Sequence, residues 1–437
     1  MLRKNCWLRP FRLTQAALST FLSGEVHIIW EPNQGWRLYP FMNVQPQPAR
    51  DTRIDVLRAI ALITIFINHV PGNPLEQFTT KNFGFSDAAE AFVLISGISA
   101  GFAYGTKFLA GAELATTLKM WRRAGVLYLA QLGTTMATLA IFAFFSLHYA
   151  VPQLMNQINI GPVMRDPAAA LIGIVTFGHQ LGYNNILSMY AVVLVLVPAL
   201  LLVGRFAGIA AMVAASGTIW LAAGLWRIGP PNYPNAGIWF LNPLSWQFLF
   251  IIGMAATVHI KRGRRLPQNP WLAVLAASYV LLTFAWVKIP LWGIDASFGL
   301  PRVISGFDKT FLSLPRLLHV VSVAYLIAVL PSVSQVFRLA PTNLLAVMGR
   351  HSLSVFVLGT ILSMVAQAWR MVHIPSPTSD VTIIAIGIAA QFAIAYYIEW
   401  YRRTVNGWRP AATSGISARN EDRPAPSARQ RGAAEAS

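Results

Sequence analysis

Cysteine is almost missing from this 437-residue chain, which carries Cys6 alone. A disulfide within the chain is therefore excluded, and so is a metal site built from several thiolates. Charge is scarce as well: charged residues make up 11% of the sequence, against about 25% in ordinary soluble domains. Acidic groups are the rarer kind, with 16 Asp and Glu against 34 Lys and Arg. A soluble fold of this length needs more polar surface than that. With 55% hydrophobic residues, the apolar excess has to face lipid. Several catalytic signatures are also missing. There is no GxSxG, no P-loop with its lysine and no HExxH, so hydrolase, NTPase and zinc-enzyme assignments lose support and no metal is expected. No internal repeat is evident, which weakens a transporter built from duplicated halves.

The basic excess, a net charge of +18, does not point to nucleic acid. It is spread between apolar runs and in the tails, as in the cytoplasmic loops of membrane proteins, and not on a recognisable binding module. Ten apolar segments approach the roughly 20 residues needed to cross a bilayer, at about 54–72, 83–105, 121–147, 186–204, 206–226, 241–260, 271–289, 315–332, 344–369 and 381–401. The run Ala168–Phe177 is too short to cross and reads as re-entrant or interfacial. Lys107, Lys119, Arg122, Arg123, Arg205, the Lys261–Arg265 cluster, Arg338 and Arg402-Arg403 all fall in loops or ends of one side, which the positive-inside bias makes cytoplasmic. The expectation is an all-α, polytopic bundle of about ten transmembrane helices with both termini cytoplasmic. Residues 1–50 form a cytoplasmic extension, expected to be disordered in part, 51–403 the transmembrane domain, and 404–437 a disordered basic tail. The register changes at Met42, so residues 1–41 are expected to be a dispensable extension or a mis-assigned start.

Charges inside apolar spans are costly, which makes them the informative residues. The first span contains Arg58 and His69. Their spacing of eleven residues is close to three turns, so they share a face, roughly 16 Å apart along the axis, with Arg58 inward and His69 outward. A simpler role for Arg58 is to snorkel to the inner interface. The second span enters from outside through Asp87 and Glu90, three residues apart on one face and at the level of His69. An imidazole beside a carboxylate is the usual make-up of a general base and its orienter; an acidic first turn also simply complements the helix dipole. Gly97, Gly101 and Gly105 then repeat every four residues. They suit close packing of a neighbouring helix, or else a slot for an extended ligand. Weaker candidates are Arg316 with His319, Arg350 with His351, His179 and Tyr183 with Asn184 and Asn185, and Trp246 with Gln247. Tryptophan at such depth anchors interfaces but can also stack on sugars.

Taken together, Arg58-x10-His69 followed by Phe92-Val-Leu-Ile-Ser96-Gly97 resembles the membrane acyltransferase-3 superfamily. The strings Asn68-His69-Val-Pro-Gly72-Asn73, Phe83-Gly-Phe-Ser-Asp87-Ala-Ala-Glu90, Gly178-His179 through Asn184-Asn185, Asn242-Pro-Leu-Ser-Trp246-Gln247, Asp308-Lys309-Thr and Gly349-Arg350-His351-Ser352 resemble its OpgC branch, over about residues 50–403. That branch succinylates osmoregulated periplasmic glucans. The resemblance implies an O-acyltransferase of the bacterial inner membrane. It implies no permanently bound cofactor; succinyl-CoA or another acyl-CoA is the cosubstrate and a periplasmic glucan the acceptor, with association with glucan-synthesis proteins an open expectation. His69 would be the general base, oriented by Glu90 or Asp87, with Arg58 and Arg350 at the donor's phosphates. Asn73, Asn184, Trp246, Arg316 and His319 would meet substrate. Asn68, Arg316 and His319 are the candidates for an oxyanion stabiliser. Two competing expectations come from other classes: a proton-coupled carrier or exporter using His69, Asp87 and Glu90 as a relay, and a non-catalytic scaffold. The topology has its own test. A phosphatase reporter fused at residue 160 or 300 is expected to be active, and one fused after Arg265 inactive; the reverse pattern would invert the orientation.

Overall fold

In lipid, a backbone can satisfy its polar groups only within a helix or a closed barrel, and the apolar runs fold accordingly as helices. The computed structural model describes residues 26–31, 35–40, 51–289, 291–294 and 297–407. It divides into two units, residues 1–51 and 52–437. In the first, β1 (Val26–Glu31) and β2 (Gly35–Pro40) form an antiparallel hairpin with Val26 opposite Pro40 and Glu31 opposite Gly35. The rest of the stretch expected to be dispensable lies outside the described residues.

The second unit contains ten principal helices: α1 (Arg53–Asn68), α2 (Ala88–Leu109), α3 (Glu113–His148), α4 (Ile186–Phe206), α5 (Gly208–Leu225), α6 (Pro243–Lys261), α7 (Pro270–Lys288), α8 (Leu314–Val329), α9 (Ser352–Val372) and α10 (Pro377–Gly407). Eight of them are long and apolar enough to cross a membrane. The exceptions, α1 and α8, have 16 residues each and fall short of that length. The tail beyond Gly407 lies outside the described residues. The run too short to cross is a nine-residue helix, Pro167–Val175, capped by the Asp166 carboxylate. The chain then turns back, and the His179 amide donates to the Gly173 carbonyl at 2.9 Å.

The ninth span departs from its expected continuity over 344–369. It breaks at His351, between the short helix Leu344–Arg350 and α9. The break lets two consecutive side chains reach one carboxylate on α10: Arg350 Nη1 lies 3.1 Å and His351 Nε2 2.9 Å from Glu399. Gly349 lets the short helix press against α1, since a Cβ there would lie 1.8 Å from the Asp55 carbonyl oxygen.

The glycine ladder of α2 is a packing face. An added Cβ at Gly97 would lie 2.0 Å from the Phe250 carbonyl oxygen, and one at Gly101 2.7 Å from Thr257 Cβ, both on α6. Gly253 on α6 faces back, with its Cβ position 2.4 Å from the Leu94 carbonyl oxygen. Backbone meets backbone here, so no ligand slot exists along this face. The α-helical pattern widens to a π turn at Gly101–Gly105, where α2 continues along the same neighbour. Forcing a methyl into such a contact costs about 1–3 kcal/mol. Gly97→Ala is therefore expected to lower the thermal unfolding midpoint of the purified protein, whereas Gly125→Ala, with nothing within 4 Å of its Cβ position, should not.

Candidate active site

The outer end of α2 is built around two carboxylates that each divide their oxygens between two tasks. Asp87 Oδ1 accepts from the Ala89 amide at 2.8 Å, and Glu90 Oε2 from the Asp87 amide at 3.0 Å, which closes a capping box on the first turn. The remaining oxygens face cations from the chain around α8. Arg316 Nη2 lies 2.5 Å from Glu90 Oε1 and 3.6 Å from Asp87 Oδ2, and Lys309 Nζ lies 2.5 Å from Asp87 Oδ2. Dipole complementation and ion pairing are thus both present, on different atoms of the same groups. Glu90 is fully buried and Arg316 nearly so, while Lys309 keeps 26% of its side chain exposed. Two acids and two bases balance, which is the condition for holding four charges at this depth.

Lys309 owes its position to a pinned loop. The buried Trp246 indole donates to the Lys309 carbonyl at 3.1 Å, and Trp220 donates to the carbonyls of Phe311 and Leu312 at 3.1 and 3.0 Å. Asp308 caps the turn through the Thr310 amide at 2.9 Å and faces Arg227 at 3.5 Å. Trp246, expected at a substrate surface, is wholly internal and acts through this loop. Lys309 was visible in sequence only within a family string. Its partnership with Asp87, 222 residues away, is a tertiary fact.

His69 follows directly on α1. Its ring stacks on Tyr183, with centroids 4.8 Å apart and planes 14° from parallel. Among the described residues no hydrogen bond joins it to Asp87 or Glu90; Asp87 and Lys309 are close enough to act on it through their charges. Tyr183 is carried by a loop that α3 holds: Gln131 Nε2 donates to the Asn184 carbonyl at 2.7 Å, and the Thr134 hydroxyl to Asn184 Oδ1 at 3.0 Å. Asn184, another expected substrate contact, is buried in that seam. Asn73 is likewise turned inward. Its Nδ2 donates to the carbonyls of Ile67 and Val70 at 2.9 and 2.6 Å, and its Oδ1 accepts from the Leu75 amide. Asn68 Oδ1 accepts from the Thr79 hydroxyl at 2.7 Å. His319 sits behind the carboxylates. Its Nδ1 accepts from the Ser86 amide at 3.2 Å and lies 2.6 Å from the Ser86 hydroxyl. Nε2 then carries the proton in the neutral ring and packs against Gly84, where a Cβ would come within 2.1 Å.

Toward the inner side of the same helices lies a cavity of about 140 Å³ between α1, α2, α3, α4 and α9. Arg58, Arg123, Ser96, Ser99, Tyr190 and Ser352 supply its polar lining, and Phe92 and Phe356 part of its apolar lining. Arg58 is fixed by Ser99, by the Gly349 carbonyl at 3.3 Å and by Asp55 at 3.6 Å. A narrow crevice lined in part by Phe92, Ser96, Tyr190 and Phe250 adjoins it and is too tight to admit a water molecule. Arg123 was counted in sequence only toward the orientation. The available signal was the Arg122-Arg123 pair: neighbours on a helix point about 100° apart, so one of two adjacent arginines entering a span can face inward. Arg350 does not line this cavity; it is held by Glu399.

Fold and site together define a polytopic helical membrane protein with a balanced charge cluster at the outer end of its first two long helices and a basic cavity at the inner end. The chain belongs to the OpgC protein family: the model of that family, described as OpgC protein, matches residues 50–403. A comparison with curated proteins finds no match. The matched region takes in the charge cluster, the cavity and His69, and leaves out the hairpin.

The ion pairs make a direct prediction. Removing one member of a buried pair leaves its partner uncompensated, at a cost of about 3 kcal/mol or more. Glu90→Gln is expected to lower the unfolding midpoint clearly, and Glu90→Gln combined with Arg316→Met to recover most of the loss. A double variant no better than the single would remove the pair from the stability of this end.

Proposed function

We propose that the chain is an O-acyltransferase of a bacterial inner membrane that moves an acyl group, succinyl in the family's pattern, from coenzyme A on the cytoplasmic side to a hydroxyl of a periplasmic glucan. The observation that carries this is the placing of two unlike sites on one helix pair. Arg58 opens onto a basic cavity at the inner end of α1, and His69 stands beside a charged cluster at the outer end. A donor with an anionic nucleotide and a long neutral arm suits the first site, and a neutral polyol suits the second.

In this scheme Arg58 and Arg123 receive the donor's phosphates, and its thioester lies toward His69. The imidazole takes the proton of the attacking glucan hydroxyl as its oxygen adds to the thioester carbonyl. The C–S bond then breaks, the ester stays on the sugar, and coenzyme A leaves as thiol with the proton returned by His69. Asp87 and Lys309 act on His69 through their field, in place of the direct carboxylate–imidazole bond anticipated from sequence. Arg316 is committed to Glu90, so Lys309, the more exposed cation of the cluster, suits both the developing oxyanion and the free carboxylate of a dicarboxylic acyl group.

The test is release of coenzyme A from succinyl-CoA in the presence of glucan by purified protein. His69→Ala, present in the membrane at normal level, is expected to lower that rate by about 100-fold or more, with loss of the acyl mass increment on glucans. A carrier would release no coenzyme A and would move solute into liposomes. A scaffold would tolerate the substitution.

A further inference from the structure

Apart from the charge cluster, one group of polar contacts around His69 is not accounted for by the transfer scheme. Three carbonyl oxygens in and just after the turn at the end of α1 are each met by a side chain from α9. Gln367 Nε2 donates to the His69 carbonyl at 2.6 Å. Arg370 Nη1 donates to the Pro71 carbonyl at 2.9 Å and Nη2 to the Gly72 carbonyl at 3.4 Å. Gln367 and Arg370 are three residues apart and so share one face of α9. Arg370 is itself anchored from behind, its Nε 3.4 Å from the buried Asp380 of α10. The His69 carbonyl stands at the C-cap of α1, where a helix offers no further amide, and Pro71 and Gly72 lie beyond the helix. Asn73 closes the turn from within.

We infer that Gln367 and Arg370 are positioning residues for His69, forming with Asp380 a brace from α9 and α10 that fixes the backbone of the base. The inference rests on the transfer reading above for its catalytic meaning, though not for the brace itself. Tyr183 limits where the ring can lie from one side, and the brace limits where its backbone can lie from the other. With the ring joined to neither carboxylate, these two contacts take the place of the usual hydrogen-bonded orienter. A base displaced by about 1 Å can lose on the order of 100-fold in rate, so holding the turn has direct consequence for the chemistry and little for affinity. Gln367 is nearly buried and has no partner among the described residues other than the His69 carbonyl.

The experiment uses Gln367→Leu, which keeps bulk and removes the donor, and Arg370→Lys, which keeps the charge facing Asp380 but not the fork to two carbonyls. Two quantities are measured on folded protein in detergent: the steady-state constants for coenzyme A release, and the rate at which diethyl pyrocarbonate modifies His69, read by peptide mass spectrometry. A brace predicts that both variants lose at least tenfold in kcat with KM for donor and acceptor within twofold. It also predicts modification of His69 at least threefold faster. Unchanged modification overturns the brace whatever the activity, and faster modification with unchanged kcat overturns its positioning role. Loss of folded protein in both variants makes the contacts structural and likewise overturns it. If the parent protein shows no transfer at all while modification still accelerates in the variants, the brace stands and the acyltransferase reading falls.

Discussion

The carboxylates at the outer end of α2 carry the arrangement on which the site depends. Each has two oxygens and uses them differently, one on a backbone amide of its own helix and the other on a cation from the chain around α8. The helix start is thereby fixed to a distant segment through groups too costly to leave unpaired in this environment. Glu90 cannot be moved without exposing both an amide and a guanidinium, and Asp87 likewise holds both a cap and a lysine. The pinned loop at Lys309, the buried indoles behind it and the histidine on Ser86 all arrange themselves around that junction.

A second constraint sets the dimensions of the bundle. Glycines on α2 and α6 bring two backbones into contact, where most helix pairs are held apart by side chains. The space not used on that side lies on the other. Ser96 and Ser99 look away from the glycine ladder, toward α1, α3 and α9, and it is there that the cavity opens. One helix thus supplies a dense face and a hollow one, and its outer terminus supplies the charges. Small residues every fourth position make the first face, and short hydroxyl side chains leave room at the second.

Much of this was legible in the chain as written. The ten helices follow from runs of apolar residues, and their limits moved only by a few residues in most cases, because a bilayer imposes one length scale on every segment. Asp87, Glu90, Arg58 and His69 stood out since charge within an apolar run is rare enough to be conspicuous. The glycine ladder stood out by its period. The break at His351 did not, because the local signal is a single glycine and the carboxylate that receives Arg350 and His351 lies 48 residues beyond His351. Trp246, Asn184 and Asn73 were expected to meet substrate and are instead buried, because the sequence contains no sign of which way they face.

What the sequence by itself determined was therefore the class of the molecule, the approximate placing of its helices and the residues that must be partnered, all properties that depend on composition and spacing along one strand of chain. Only the tertiary structure decided the partners. It set Lys309 against Asp87, Arg316 against Glu90, Arg123 into the cavity beside Arg58, and Tyr183 rather than a carboxylate against the ring of His69. A charge in lipid announces that it needs a counterpart, but several cations lie at the right depth. Which one is used is settled by how the helices pack and where the loops between them are pinned.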